Sequence, residues 1–392
     1  MSEIKVNSIK GVGASAAAIT VNNTDGTCTA NITNNLSNRN LVINGAMQVA
    51  QRGTSSTSSG FQTVDRFEVE YSGTDEAPTQ AQVDVSAGTT PYTNGFRKAF
   101  KITNGNQTSG AGASDRIRYR YKFEAQDIAN SGWNYTSASS FVTLSFWIKS
   151  SVAQNFYGAF LTMDGSQQEY SFETGSLSAD TWTKVTKTIP GNSNLTFNND
   201  NGHGLQFNLF AFLGTSNTGS TTMNQWAAFN NSARTPDNTS TWYTTNNATL
   251  EITGLQLEVG SVATDFEHRS FQDEFLRCCR YFYMHARGPD ANTSNQAPIG
   301  MGYGYTSTDG YVMVQYPVKM RTAPSIYKVT GTDYFQFAYN NNNGYPNDVS
   351  LNRIQLTMAE VNFHTGSSWD QNASGMFRTN NTATRLGFEA EL

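Results

Sequence analysis

Only three cysteines, Cys28, Cys278 and Cys279, occur in 392 residues, and none stands at CxxC spacing. An odd count without that spacing excludes a thiolate zinc site and a disulfide framework. It leaves the adjacent Cys278 and Cys279 as small apolar residues of a helix. Histidine is equally scarce: His203, His268, His285 and His364 are scattered, with no HExxH pair. The P-loop, the dinucleotide fingerprint and the GxSxG elbow are all missing, so no cofactor and no catalytic constellation are expected. Charge is sparse at 15%, and acidic residues outnumber basic ones 31 to 26, for a net charge of −5. Such a chain lacks the basic surface that displaces counterions from phosphates, which excludes a nucleic-acid partner. No run approaches the roughly 18 apolar residues of a membrane span, so no membrane insertion is expected. The start MSEIKVNSIK lacks the apolar core of a signal peptide, which predicts synthesis in a cytoplasm.

Asn, Thr, Ser and Gly fill the space left by charged and apolar residues. That composition alone would suit a disordered chain, but an aromatic share of 12% does not. Thin β layers with long polar loops reconcile the two, because each strand hides one face and shows the other to water. The length suits two or three domains. The fold expected is all-β: a jelly-roll-like sandwich, one linking helix and a smaller C-terminal sandwich, preceded by a short β segment.

The divisions follow from periodicity. Residues 1–39 carry two short alternating strands around a turn at 23–26, too small to be stable alone. Residues 40–60 end in TSSTSSG and read as a linker. Residues 61–268 contain strand patterns such as FRKAFKIT, RIRYRYKF, FVTLSFWIKS and LQFNLFAFL, separated by Gly, Asn and Ser clusters. In FVTLSFWIKS, Val142, Leu144, Phe146 and Ile148 share one face. Residues 269–286 read as the linking helix, started by Ser270 with Asp273 three positions on, and with Phe271, Phe275, Cys278 and Phe282 on its apolar face. Residues 287–392 hold further strands, with 340–348 (NNNNGYPND) as an exposed loop tip.

Four runs carry a family resemblance: NLVINGAMQVAQRG at 40–53 with DRF at 65–67, ITGLQLEVG…ATDFEHRS…RCCRYF at 252–282, MRTAP at 320–324, and GFEAEL at 387–392. Together they resemble bacteriophage tail-fibre and receptor-binding proteins. The resemblance implies a virion protein on the particle's exterior, most naturally in the tail. Its N-terminal segment would be anchored on another virion protein, and the chain would assemble as a homotrimer. Host adhesion to a surface glycan or protein is the implied role. The alternatives are a capsid decoration protein and a glycan-degrading tailspike.

Sugar binding needs aromatic faces for stacking and amides for hydroxyls. The loop aromatics Trp133, Tyr135, Trp226, Trp242, Tyr243, Tyr345 and Trp369 are therefore the candidate receptor contacts, whereas Trp147 and Trp182, in strand-like runs, are assigned to the core. Glycan cleavage would need two carboxylates about 5–9.5 Å apart, and Asp164 with Glu169 or Glu173 is one such candidate pair. NNDNGHG at 198–204 offers oxygen ligands but not the EF-hand order, so a polar loop is expected there and no metal.

Overall fold

The structure is a computed structural model that describes residues 6–10, 12, 19–21, 24, 28–30, 38–290 and 295–392. Three short strands, β1 (Ser8–Ile9), β2 (Ile19–Val21) and β3 (Cys28–Ala30), form an antiparallel sheet at the N-terminus. Apart from Thr24, the turn expected at 23–26 lies outside the described residues.

Twelve strands build the large body. They are β4 (Ser55–Ser56), β5 (Phe67–Ser72), β6 (Thr79–Asp84), β7 (Lys98–Thr103), β8 (Arg116–Glu124) and β9 (Phe141–Ser150), followed by β10 (Asn155–Thr162), β11 (Gln168–Ser176), β12 (Thr183–Pro190), β13 (His203–Leu213), β14 (Trp226–Ala228) and β15 (Thr249–Val259). Two six-stranded sheets result, in the orders β14-β11-β10-β13-β8-β5 and β12-β9-β15-β7-β6-β4. Their inner faces meet in one aromatic core, where Phe146 touches Phe207 at 6.1 Å and Phe67 touches Phe100 at 6.2 Å. The alternation read from FVTLSFWIKS holds: Val142, Leu144, Phe146 and Ile148 are all buried.

Residues 40–53 are not a linker. Val42 and Met47 are fully buried in the sandwich core, and the Leu41 N–H donates to the Leu257 carbonyl at 2.9 Å. Asn44 makes this segment irregular but fixed, since its amide donates to the carbonyls of Val49 and Asp65 while its Oδ1 accepts from the Val49 N–H. The run therefore closes the sandwich rather than spacing it from something else.

The linking helix α4 (Phe271–Cys279) follows short helical turns α1 (Thr90–Thr93), α2 (Ala125–Ala129) and α3 (Thr241–Thr244). Ser270 caps it, its hydroxyl accepting from the Asp273 N–H at 3.1 Å. The helix is shorter than the sequence pattern predicts, because Phe282 already belongs to β16 (Phe282–Arg287), a strand paired with residues 385–389. Its buried face also differs from expectation. Phe271 is exposed and stacks on a half-buried Phe275, whereas Glu274, Cys278 and Cys279 face inward. Both thiols are free, and burial pushes that of Cys279 up to about 12.

The C-terminal body packs a three-stranded sheet, β16-β25-β19, on a seven-stranded one, β21-β20-β24-β17-β18-β23-β22. Its strands are β17 (Pro298–Gly304), β18 (Asp309–Gln315), β19 (Ser325–Val329), β20 (Phe335–Tyr339), β21 (Asn342–Gly344), β22 (Pro346–Ile354), β23 (Met358–Gly366), β24 (Ser374–Thr379) and β25 (Arg385–Glu389). The 340–348 run thus holds β21 and the start of β22, the two opposite edge strands of the seven-stranded sheet, rather than a single loop tip. Among the described residues, no helix is long and apolar enough to cross a membrane.

Candidate functional site

Trp147 and Trp182 are only half-buried, whereas Trp133, Trp226, Trp242 and Trp369 are buried. Trp147 lies in β9 between Lys184 of β12 and Thr253 of β15, on the face opposite Phe146 and Ile148. It is half-buried and lines a pocket of about 410 Å³ with Ser145, Lys184, Phe266, His268, Asp265, Phe96 and the 93–95 backbone. Trp182 stands nearby, with the Lys149 ammonium 5.2 Å from its ring centre, and Lys149 in turn pairs with Glu251 at 3.1 Å.

Local backbone chemistry makes this pocket. β15 carries a bulge: Thr253 pairs with Trp147 and Gln256 with Ser145, so Gly254 and Leu255 oppose the single residue Phe146. Gly254 takes φ +66°, and a Cβ there would lie 2.6 Å from the Phe96 ring. Phe96 can therefore lie against the sheet as the pocket floor. The turn after β15 then folds back as a wall. Phe266 and His268 both pack on Phe96, with ring centres 4.9 and 5.1 Å away, and the His268 Nε2 is 2.9 Å from the Asn94 carbonyl.

Buried polar pairs hold that turn in place. Glu258 accepts from the Thr264 N–H and hydroxyl at 2.8 and 2.6 Å, and Gln256 Oε1 accepts from the Glu267 N–H at 2.8 Å. The polar side of the QLEV strand is thus covered rather than open to water. The result is a preformed concavity with an aromatic floor and wall, one exposed ammonium, one exposed carboxylate and a serine hydroxyl. Its size falls within the roughly 300–1,000 Å³ of small-ligand sites. Chemically it can stack a sugar ring and hydrogen-bond its hydroxyls. A larger cavity of about 570 Å³, lined by Arg39, Arg277, Asp127 and Gln126, contains no aromatic ring.

Five of the seven loop aromatics are core residues. Trp133 is buried against Phe197 and donates its indole N–H to the Ser140 carbonyl. Trp226 packs on Tyr170 and donates to the Pro190 carbonyl at 2.7 Å. Trp242 and Tyr243 are fully buried at the end of the sandwich, where Tyr243 stacks on Phe212 and donates to Asp115. Trp369 lies beneath the seven-stranded sheet against Phe337 and Phe363. Trp226 sits in the edge strand β14 and Trp242 and Tyr243 in the helical turn α3, while Trp133 and Trp369 lie in irregular segments that fold back over a sheet, so each large ring covers core with few residues. Tyr135 and Tyr345 are half-buried, the first edge-on to Phe197 at 5.0 Å and the second near Gln336. The structure therefore does not gather the seven into one surface. Trp147 was legible nonetheless, since the alternation that buries Phe146 and Ile148 points it the other way.

The candidate carboxylates are engaged elsewhere. Glu169 is buried in a pair with Arg234 at 2.8 Å, and burial raises its pKa against the pull of that guanidinium. Asp164 accepts from the Asn198 backbone and side-chain amides, and Glu173 accepts from Asn155. In the 198–204 run, Asp200 accepts from the Gly202 N–H, and Asn201 exchanges two hydrogen bonds with Arg321. No cluster of three or more His, Cys, Asp or Glu able to hold a metal occurs among the described residues.

No family model and no curated protein matches this chain. Among solved structures, the enzymatically active domain of bacteriophage CBA120 tailspike protein 4 is similar at 10% identity and a TM-score of 0.32, over 57% of this chain and 22% of that one. The match thus spans about a fifth of the tailspike chain. A CBM4 structure is similar at 13% identity and a TM-score of 0.27, over 55% and 98% of the two chains. The family 11 carbohydrate-binding module from Clostridium thermocellum, in complex with a mixed-linked tetrasaccharide, gives 11% identity and a TM-score of 0.25, over 54% and 98%.

Proposed function

We propose that this chain is a phage virion protein that adheres to the host surface by holding a glycan in the Trp147 pocket. The observation that carries the reading is a tryptophan turned away from the sandwich core into a preformed pocket of about 410 Å³ rimmed by Lys184, Asp265 and His268. A ring stacked on the indole would be oriented by these polar groups, the usual division of labour in a small-ligand site. The phage assignment is supported by the NLVINGAMQVAQRG and QLEVG…EHRS runs. Placement on the virion exterior, in the tail, with the N-terminal segment on another virion protein, belongs to the same proposal, as does a homotrimer. Several copies would then multiply a weak single-site affinity. The role is binding without bond cleavage, which the engagement of Glu169, Asp164 and Glu173 in other contacts supports.

Trp147→Ala tests the reading. Binding of the purified chain to host cells should weaken at least tenfold, or about 1.4 kcal/mol, and the variant should no longer compete with phage adsorption. Its circular dichroism and oligomer mass should match the parent. Equal binding by variant and parent would sink the assignment of this pocket.

A further inference from the structure

The seven-stranded sheet of the C-terminal body presents an uncovered outer face with a regular chemistry. Past the register shift between Pro298 and Gly300, alternation in β17 and β18 sends Val312 and Val314 into the core and Met301, Tyr303, Tyr311 and Met313 outward. Strand register then aligns one transverse row. Ser374 pairs with Tyr303, Tyr303 with Tyr311, Tyr311 with Asn362, and Asn362 with Ser350. With strands about 4.8 Å apart, these five positions form a ribbon about 19 Å long. Tyr305 adds a third ring, 5.6 Å from Tyr311, and Tyr303 lies 5.7 Å from Tyr311.

Two details point to a ligand. Tyr303 and Tyr305 are 44% and 56% exposed, and none of the three tyrosine hydroxyls bonds another described residue. The platform is also rigidly backed. Gly302 and Gly310 leave room for the Phe363 ring directly beneath, where any Cβ would come within 3.0 and 2.2 Å of it, and Trp369 fills the space under Gly304 in the same way.

We infer that this row is a second carbohydrate-binding site, taking a neutral oligosaccharide several rings long that lies across β24, β17, β18, β23 and β22. Tyrosine faces would stack on sugar rings, and their unbonded hydroxyls would exchange hydrogen bonds with sugar hydroxyls. The row carries no charged residue, which fits a neutral ligand. A second copy of the chain fits less well. The exposed large apolar residues here number five, Met301, Tyr303, Tyr305, Met313 and Met376, against the roughly 20–30 residues a side of a stable protein interface. The site is separate from the Trp147 pocket and does not depend on it.

The three methionines beside the row supply the readout. In the full chain with methyl-labelled methionine, the probes are linear hexasaccharides of glucose, galactose and N-acetylglucosamine, each at about 1 mM, the weak end of specific affinity. At least one should shift the Met301, Met313 or Met376 methyl signals. Tyr311→Ala should weaken that response at least tenfold, and Trp147→Ala should leave it unchanged. Absence of any shift with the parent chain overturns the proposal, whatever the fate of the variants. So does loss of the response in Trp147→Ala, which would assign it to the first pocket. A fall in oligomer mass on Tyr303→Ala, measured by light scattering, would make the face a contact between copies and overturn it too.

Discussion

His203 begins β13 opposite Glu124, and burial, reinforced by Lys122, Arg120 and Arg66, lowers its pKa to about 3. Unfolded, it would titrate near 6.5. Held neutral in the fold, it contributes stability that is complete above pH 6.5 and is lost as pH falls toward 3. Asp65 acts in the opposite sense. Burial, only partly offset by Arg52, raises its pKa to about 6 from 3.8, so its contribution is present below the lower value and lost as pH rises through the higher one. The two oppose each other over the overlap, and the parent profile reads their difference. His203→Asn isolates the first: between pH 6.5 and 4.5 the variant should lose about 1–3 kcal/mol less stability than the parent. Urea titrations at the two pH values measure this, and parallel losses would show that His203 titrates alike in both states. At this same scale lies the main misreading of the sequence. Loop-like sequence suggests exposure, yet Trp242 and Trp369 cap core edges, while Trp147, in a strand, faces outward. Which way a loop folds back is a tertiary property that no local pattern encodes. Strand alternation is local, and it does carry Trp147's direction.

Helix α4 shows the same division between what periodicity can and cannot reveal. Its start was legible, because capping depends on residues three apart. Its inward face was not, because a buried carboxylate reads as a surface residue. Glu274 accepts from the Asn44 N–H and from Arg269 at 2.9 Å, and Arg269 also donates to the carbonyls of Asn40 and Val42. The helix is thus fastened through polar atoms to residues more than two hundred positions earlier, which no sequence window reaches. Two substitutions separate the readings. Phe275→Asp, on the half-buried side stacked with exposed Phe271, should cost under about 1 kcal/mol. Glu274→Ala leaves a buried N–H unpaired and weakens the hold on Arg269, and should cost about 2–3 kcal/mol. Chemical denaturation ranks the pair; the reverse order would mean that the phenylalanine face is the one that packs.

Across the molecule, the runs that carry the phage resemblance meet in one place. Gln51 donates to Asp65 and to the Phe282 carbonyl, Arg321 of MRTAP donates to the carbonyls of Ala390 and Glu391, and Arg269 of EHRS clasps residues 40 and 42. Their residues look structural because they are: they fasten the C-terminal body to the sandwich. At the centre Arg66, 1% exposed, pairs with Glu391 at 2.5 Å, donates to the Lys122 carbonyl and lies 3.4 Å over the Tyr281 ring. The all-β class and most strands could be read from alternation, but this junction could not, since its partners are separated by most of the chain. Removing Glu391 would leave a buried guanidinium without its carboxylate, a loss of about 3–5 kcal/mol. The parent should melt in one calorimetric transition. Glu391→Ala should melt earlier, with the C-terminal body separating as its own transition and becoming open to protease at Arg280 and Tyr281, between α4 and β16. Glu391→Gln, which retains an acceptor oxygen, should fall between them. A single transition at the parent temperature in Glu391→Ala would show that the two bodies are coupled by other contacts, and that the Arg66 pair follows their docking rather than holding it.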